Sequence, residues 1–252
     1  MSPECTDIHE RGYVVLERVY DERELTDIHA IMRDAWQRAG APRPGGHFGF
    51  IMHPLFAAAP DMAAYVPRPR VIGLLAELFG EQPRLAHNGG LMSDVSRSFT
   101  PWHYHRSDAC DDALVWDLAR RDRPERITRV LANVYVDGST PERGELLVSP
   151  RRFDDPLAPS DVDRDREWSC QEVVRCAPGS IVVFDQSLFH AARPARTDAP
   201  RRIFGGHYQG WSESPPHRED NAADLPGVSA ALTAEPMLRA LVRGVARRHS
   251  AS

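Results

Sequence analysis

Lysine is absent from the sequence: all 31 basic residues of the 252-residue chain are arginines. Alanine, proline and aspartate are abundant as well. This bias is typical of a GC-rich coding genome, so we assign it no biochemical meaning. The formal net charge of -5 gives no electrostatic reason to expect nucleic acid or an anionic membrane as a partner.

Long apolar runs are absent too. No run approaches the roughly 20 residues that a membrane-spanning helix needs, and the first ten residues are polar, without the apolar core of a signal peptide. We therefore expect a cytoplasmic protein that does not contact membranes. The four cysteines show no C-x-x-C spacing, and in a chain of this length we expect reduced thiols rather than a disulfide framework.

The N-terminal part of the chain carries helical signals. Asp21 followed by Glu24 forms a capping-box pattern, apolar residues then recur at helical spacing, and Gly40 ends the pattern. A second helix is predicted over residues 71–79. The segment 41–69 between them is rich in proline, glycine and alanine, so we expect a loop there.

From Arg84 onward the sequence changes to short β-prone segments separated by turn residues. Such strands at fairly even spacing predict a sandwich or barrel. We predict a mainly β fold with N-terminal helices, namely a double-stranded β-helix or jelly roll of the cupin kind. One domain over residues 1–252 is expected, with a helical part to about 80, a core of about 84–210 and a tail of about 211–252. The candidate strands are 84–88, 100–105, 129–137, 145–148, 169–174, 180–184 and 202–208.

Three histidines have a spacing that suits a metal site. His103 and His105 are separated by one residue on a predicted strand, so their side chains project to the same face. His190 follows another predicted strand, which would carry it back to the same mouth of the barrel. An isolated histidine is more often structural than a ligand, but three in this arrangement favour a metal. Iron(II) in non-haem oxygenases is held on one face by two imidazoles and a carboxylate, with positions left open.

Five segments of the sequence form an ordered set of motifs. They are Arg11 to Leu16, Trp102 to His105, Thr140 to Val148, Pro178 to Phe184 and His190 to Arg201. Taken in order, they resemble the phytanoyl-CoA dioxygenase family of Fe(II)/2-oxoglutarate oxygenases. No single motif is specific, but their order and spacing from about Gly12 to Tyr208 make the resemblance strong.

This resemblance implies the cofactors Fe(II) and 2-oxoglutarate, with O2 as the oxidant and a small molecule as substrate. His103 and His190 would be iron ligands, and Arg201 would bind the distal carboxylate of 2-oxoglutarate. The guanidinium fork of an arginine meets a carboxylate with two parallel charge-assisted hydrogen bonds. The implied reaction oxidises a C–H bond, with hydroxylation as the default outcome and a place in natural-product biosynthesis as a further expectation.

One residue departs from the family pattern, because His105 stands where the family has aspartate. Three interpretations stay open at this point. His105 replaces the aspartate as a ligand, or Asp108 reaches in from the following loop, or metal binding is lost and the fold serves another purpose. Residue types alone do not distinguish iron from zinc, since three histidines and a water also make a common zinc site.

Further side chains are candidates for the same site. Asn133 and Asn88 lie on predicted strands and are candidates to offer amides to the keto acid, although a hydrogen bond at a sheet edge explains either as well. Arg201 and Arg202 should point to opposite faces of their strand, one buried and one solvated. His207 shares a strand face with Arg201, as a substrate contact or as a packed interior histidine.

Two rival functions remain from the sequence. The first is a three-histidine iron dioxygenase that activates O2 without a keto acid. The second is a non-catalytic binding protein on the same fold. Loss of stoichiometric metal would favour the binding protein, whereas metal and O2 chemistry that survives removal of Arg201 would favour the keto-acid-independent enzyme.

Overall fold

The computed structural model describes residues 1–105, 114–115, 127–152, 163–213 and 228–243. The helices in these residues are α1 (Pro3–Arg11), α2 (Glu22–Arg38), α3 (Leu55–Ala58), α4 (Pro69–Phe79), α5 (Val228–Ala234) and α6 (Pro236–Arg243), with a 3-10 helix at Pro60–Ala64. The strands are β1 (Tyr13–Leu16), β2 (Phe50–Met52), β3 (Pro83–Ser93), β4 (Thr100–His105), β5 (Leu114–Val115), β6 (Arg129–Tyr135), β7 (Leu146–Val148), β8 (Glu172–Val174), β9 (Ser180–Asp185), β10 (His190–Ala192) and β11 (Arg201–Gly210).

The strands form two antiparallel sheets. One has the order β1-β9-β6-β11-β3-β2 and the other the order β5-β4-β10-β7-β8. From β3 to β11 the chain passes back and forth between the two sheets, which is the winding of a jelly roll. The prediction of a mainly β, double-stranded β-helix fold with helices at the N-terminus is confirmed.

The larger sheet is buried on both faces. Outward-facing residues such as Val134 and Val183 pack with Ile28 and Met32 of α2 in one apolar cluster. Inward-facing residues of the same strands, such as Val182, belong to a second cluster with residues of the smaller sheet. Alternate side chains along one strand thus enter different cores, as the two-residue period of a strand requires.

Both predicted helices are present. Helix α2 begins after Asp21 as predicted and ends at Arg38, and α4 begins at Pro69, two residues before its predicted start, and ends at Phe79 as predicted. At the start of α2, the Glu24 backbone N–H donates to Asp21 Oδ1 at 2.8 Å, and the Asp21 N–H donates to Glu24 Oε2 at 3.0 Å, which completes the capping box. Gly80 ends α4 in the left-handed conformation, with φ of 69°. Helix α1 was not predicted, although Ser2 caps it and Pro3 stands in its first turn.

The prediction of a loop over residues 41–69 was wrong in part, because this segment contains β2, α3 and the 3-10 helix. Strand β2 has no alternating pattern of its own. It forms the edge of the larger sheet because Phe50–Met52 pairs with β3. Strand β10 was also missed, for the same reason. The division into a helical part, a core and a tail of one domain stays a prediction. In the described ranges we find no helix long and apolar enough to cross a membrane.

Candidate metal centre

Two neighbouring strands of the smaller sheet bring the three predicted histidines together. His190 on β10 pairs directly with His103 on β4, and His105 lies two residues further along β4. All three side chains are buried, and one ring nitrogen from each lies within 4.8 Å of the other two. The i, i+2 spacing thus places both β4 histidines on the face that looks into the jelly roll.

Backbone carbonyls orient two of these imidazoles. His103 Nδ1 lies 2.7 Å from the Pro101 carbonyl oxygen, and His190 Nδ1 lies 2.9 Å from the Leu188 carbonyl oxygen. A carbonyl oxygen only accepts hydrogen bonds, so each Nδ1 carries the proton and each Nε2 retains a lone pair. Second contacts of this kind are how proteins orient histidine ligands for a metal.

Electrostatics keep His190 neutral. Burial, followed by the proximity of His103 and His105, holds its pKa well below the ordinary range. A neutral imidazole is the form that coordinates a metal, because its unprotonated nitrogen keeps the lone pair. Burial and the neighbouring rings disfavour protonation of His190, so this nitrogen stays available to a divalent cation. The donor set therefore fits a divalent transition metal such as iron or zinc. Asp108, the alternative ligand, lies outside the described residues.

The histidines face a cavity of about 500 Å³. Its opposite wall is the inner face of the larger sheet, where β6, β11 and β3 run side by side. Register pairs on these strands form three rows across that wall. The rows are Tyr135–Ile203–Leu91, Asn133–Gly205–Gly89 and Leu131–His207–His87.

Arg201 lies at the end of this wall that is formed by the row Tyr135–Ile203–Leu91. Its side chain is buried and lines the cavity, with the guanidinium carbon 5.6 Å from the centre of the Tyr135 ring. No ion pair to a carboxylate is found for it in the described part of the chain, and its Nε has no hydrogen-bond partner there. Arg202 points to the other face and donates to Asp137 Oδ1 at 3.0 Å. The predicted alternation is therefore present, except that Arg202 is held in an ion pair and is only partly exposed.

A second arginine at this end was not predicted. Arg97, in the turn between β3 and β4, is buried and lines the same cavity. It donates to Thr100 Oγ1 at 2.8 Å, and Thr100 lines the cavity as well. No sequence signal marks Arg97, because it lies between strands and contacts the backbone of residues almost a hundred positions away.

The other end of the cavity is rich in imidazoles. The His207 ring centre lies 5.0 Å from that of His105 and 5.1 Å from that of His87. His53 Nε2 lies 3.2 Å from His87 Nδ1 and continues the row to the mouth of the cavity. His207 thus faces the cavity. His87 lies on the same face of β3 as Gly89 and was not predicted, because the sequence of this strand does not state which face is inward.

The two predicted asparagines differ in their placement. Asn133 lines the cavity. Asn88 does not: it is fully buried on the other face of β3, where its Oδ1 accepts the Leu55 backbone N–H at 2.8 Å. The assignment of Asn88 to the keto acid is therefore corrected, because His87 and Gly89 are the residues of that strand that face the cavity.

No family model and no curated protein matches the sequence. Solved structures do match. HygX from Streptomyces hygroscopicus, crystallised with nickel and 2-oxoglutarate, aligns with a TM-score of 0.68 and 17% identity over 90% of this chain and 93% of HygX. SnoK, a non-haem alpha-ketoglutarate-dependent carbocyclase from nogalamycin biosynthesis, aligns with a TM-score of 0.62 and 18% identity over 86% of this chain and 92% of SnoK.

The epimerase SnoN from the same biosynthesis aligns equally well, with a TM-score of 0.62 and 18% identity over 85% of this chain and 89% of SnoN. At these identities the likeness is one of fold. It agrees with the jelly roll assigned above from the strand order.

Proposed function

We propose that this chain is an Fe(II)- and 2-oxoglutarate-dependent oxygenase that oxidises a C–H bond of a small molecule, with hydroxylation as the default outcome. The observation that carries the proposal is one cavity with three converging buried histidines on one wall and the buried Arg201 on the other. A metal ligand set and a carboxylate-binding group in one enclosed space are what a keto-acid-dependent oxygenase requires.

The ligands in this proposal are His103, His105 and His190. Iron bound there would supply O2 activation coupled to oxidative decarboxylation of the keto acid, while the protein supplies position and exclusion of water. Arg201 would bind the distal carboxylate, since its buried guanidinium faces the cavity without an ion-pair partner in the described residues. Asn133 is the side-chain amide placed to contact the keto acid.

Replacement of a carboxylate ligand by His105 changes the charge of the site. Three neutral imidazoles leave the metal its full charge of +2, whereas two imidazoles and a carboxylate reduce the net charge by one. The higher charge favours a dianionic keto acid and raises the reduction potential of the iron. From the order and spacing of the sequence motifs we also propose a relationship to the phytanoyl-CoA dioxygenases, with histidine in place of their aspartate.

A small-molecule substrate is supported by the size of the cavity. About 500 Å³ lies within the range of roughly 300–1,000 Å³ that is usual for ligand pockets. Two solved structures of similar fold also support a small-molecule substrate, because HygX was crystallised with hygromycin B and SnoK belongs to nogalamycin biosynthesis. We therefore infer a role in natural-product biosynthesis.

The test is an anaerobic titration with Fe(II), with and without 2-oxoglutarate, followed by visible absorbance. The proposal expects a metal-to-ligand charge-transfer band that needs both components. The band should weaken in Arg201→Ala and persist in Arg202→Lys, which keeps the charge on the other face of the strand. Of His105→Ala and Asp108→Ala, the variant that abolishes the band identifies the third ligand.

A second candidate follows from the all-histidine donor set. An iron dioxygenase that binds its substrate directly, without a keto acid, also uses a metal held by neutral imidazoles. It predicts bound iron but no band with 2-oxoglutarate, and metal binding that is unchanged in Arg201→Ala. Failure of the wild-type protein to retain stoichiometric metal would instead favour a non-catalytic binding protein.

A further inference from the structure

Two buried guanidinium groups lie at the same end of the cavity. Arg97 is 1% exposed and Arg201 is 4% exposed, and both line the cavity together with Tyr135 and Thr100. They reach it from different elements, since Arg201 begins β11 and Arg97 belongs to the turn before β4. Along β11 this end is the one remote from His207 and its imidazole neighbours.

The contacts of Arg97 hold it in place without neutralising it. Its hydrogen-bond acceptors among the described residues are all uncharged. They are Thr100 Oγ1 at 2.8 Å, the Ser98 carbonyl oxygen at 3.2 Å, the Ala192 carbonyl oxygen at 3.5 Å and the Arg193 carbonyl oxygen. These contacts fasten the turn to the end of β10, and they fix where the guanidinium points.

No anion balances the two charges within the described residues. Neither arginine has an ion pair there, and the Nε of each lacks a hydrogen-bond partner. Burial and the charge of Arg201 lower the pKa of Arg97 to about 9, and burial lowers the pKa of Arg201, so the positive charge is disfavoured on both groups. An arginine guanidinium nevertheless keeps its proton in proteins. Two like charges out of water are unfavourable unless an anion joins them.

We propose that Arg97 is a second carboxylate-binding residue of the keto-acid site, so that Arg97 and Arg201 together bind the distal carboxylate of the cosubstrate. This inference rests on the proposed function and deepens it. A carboxylate has two oxygens, and each can accept from a different guanidinium. The ligand class is then a dicarboxylic 2-oxo acid, selected against monocarboxylic 2-oxo acids by two cations rather than one.

The experiment compares 2-oxoglutarate with 2-oxopentanoate, which has the same carbon chain with a methyl group in place of the distal carboxylate. Dissociation constants are measured from the charge-transfer band, anaerobically and with Fe(II), for the wild type, Arg97→Gln and Arg201→Gln. Arg196→Gln, an exposed arginine outside the cavity lining, is the control.

Arg97→Gln is expected to weaken 2-oxoglutarate binding by about 10- to 100-fold, the range for a charged hydrogen bond, and to change 2-oxopentanoate binding by less than about threefold. If Arg97 only held the turn in place, Arg97→Gln would weaken the binding of both ligands equally, and that result would overturn the inference. If Arg201→Gln weakens 2-oxoglutarate binding more than 2-oxopentanoate binding and Arg97→Gln does not, this inference is overturned while the proposed function stands. Absence of 2-oxoglutarate binding in the wild type would overturn the proposed function with it.

Arg97→Lys separates the effect of the charge from an effect on folding. It keeps the positive charge but loses most of the hydrogen bonds that the guanidinium makes to the turn and to the end of β10. If the charge acts on the carboxylate, Arg97→Lys should retain a preference for 2-oxoglutarate within about fivefold of the wild type. A lysine variant that loses the preference as fully as Arg97→Gln, with an unchanged melting temperature, would contradict the inference.

Discussion

His103 and His190 face each other across adjacent antiparallel strands, with their ring centres 4.1 Å apart. Their Nδ1 atoms are each held by the carbonyl oxygen two residues earlier in the chain. The two imidazoles are therefore oriented by the backbone of their own strands, and the metal that we propose here would need no rearrangement of them.

Removal of either of these histidines should strongly weaken metal binding. We expect His190→Ala to weaken Fe(II) affinity by at least about 100-fold, because a three-imidazole site loses a ligand and even a residue that only orients a ligand is worth about 10- to 100-fold. The matched control is His207→Ala, which removes another cavity imidazole whose ring centre is 5.0 Å from that of His105. Metal content after dialysis checks both variants. Equal losses in the two would contradict the assignment of the ligands.

Replacement of His105 by aspartate should produce the two-histidine, one-carboxylate set of the family that the sequence resembles. We expect His105→Asp to retain iron but to bind 2-oxoglutarate about tenfold more weakly, because the negative ligand reduces the charge that attracts the dianion. His105→Asn has nearly the same shape without the charge and serves as the control. Tighter 2-oxoglutarate binding in His105→Asp would refute the charge argument. Anaerobic titration measures all three proteins.

The cavity wall tolerates a methyl group at one glycine and not at another. A Cβ at Gly205 would lie against the Ala132 carbonyl oxygen and 2.8 Å from Asn133 Oδ1, whereas the nearest atom to a Cβ at Gly89 is the Met52 carbonyl oxygen at 3.8 Å. We expect Gly205→Ala to lower the free energy of unfolding by about 1–3 kcal/mol. Gly89→Ala should leave it nearly unchanged. Denaturant titration distinguishes the pair, and equal stability would count against the packing described here.

Asp137 should make stability depend on pH. Burial opposes its ionisation, but the hydrogen bond from His29 and the charges of Arg202 and Arg143 outweigh it, so its pKa lies below the ordinary value. The ionised Asp137 carboxylate therefore adds to the free energy of unfolding above the unfolded-state pKa of about 3.9, and this stabilisation is lost as the pH falls through the folded-state pKa. We expect Asp137→Asn to lower the free energy of unfolding by about 3–5 kcal/mol at pH 7.

The difference between Asp137→Asn and the wild type should narrow as the pH falls below about 4, where the carboxyl becomes protonated in the unfolded chain before it does in the folded protein. Asp34→Asn, in an exposed pair with Arg33, is the control and should change the stability by less than about 0.5 kcal/mol. A constant difference from pH 7 down to pH 3 would show that Asp137 does not stabilise the fold through its charge.

The features that the sequence predicted depend on local spacing. The capping box of α2 and the shared face of His103 and His105 need only the neighbouring residues and the period of a helix or strand. Strand β4 begins and ends where the β-prone segment Thr100 to His105 does. Such features depend only on residues that are close together in the chain, so a sequence pattern is enough to predict them.

The features that escaped prediction depend on distant pairing. Strand β10 has only three residues and exists through its neighbours β4 and β7. Arg97 enters the cavity because backbone carbonyls near residue 193 hold it there. The face of β3 on which Asn88 lies follows from its pairing with β11, and the predicted strand alone did not state which face was inward. These relationships form between segments far apart in the chain.

The ion pair on the outer face of β11 has a consequence for the chemistry on its inner face. Asp137 accepts the Arg202 backbone N–H at 2.8 Å and its guanidinium at 3.0 Å. A slip of this strand by one residue would exchange the two arginines, leaving Asp137 without its partner and turning Arg201 out of the cavity. The Asp137 carboxylate, although it lies outside the cavity lining, thus stabilises the register in which Arg201 rather than Arg202 lines the cavity.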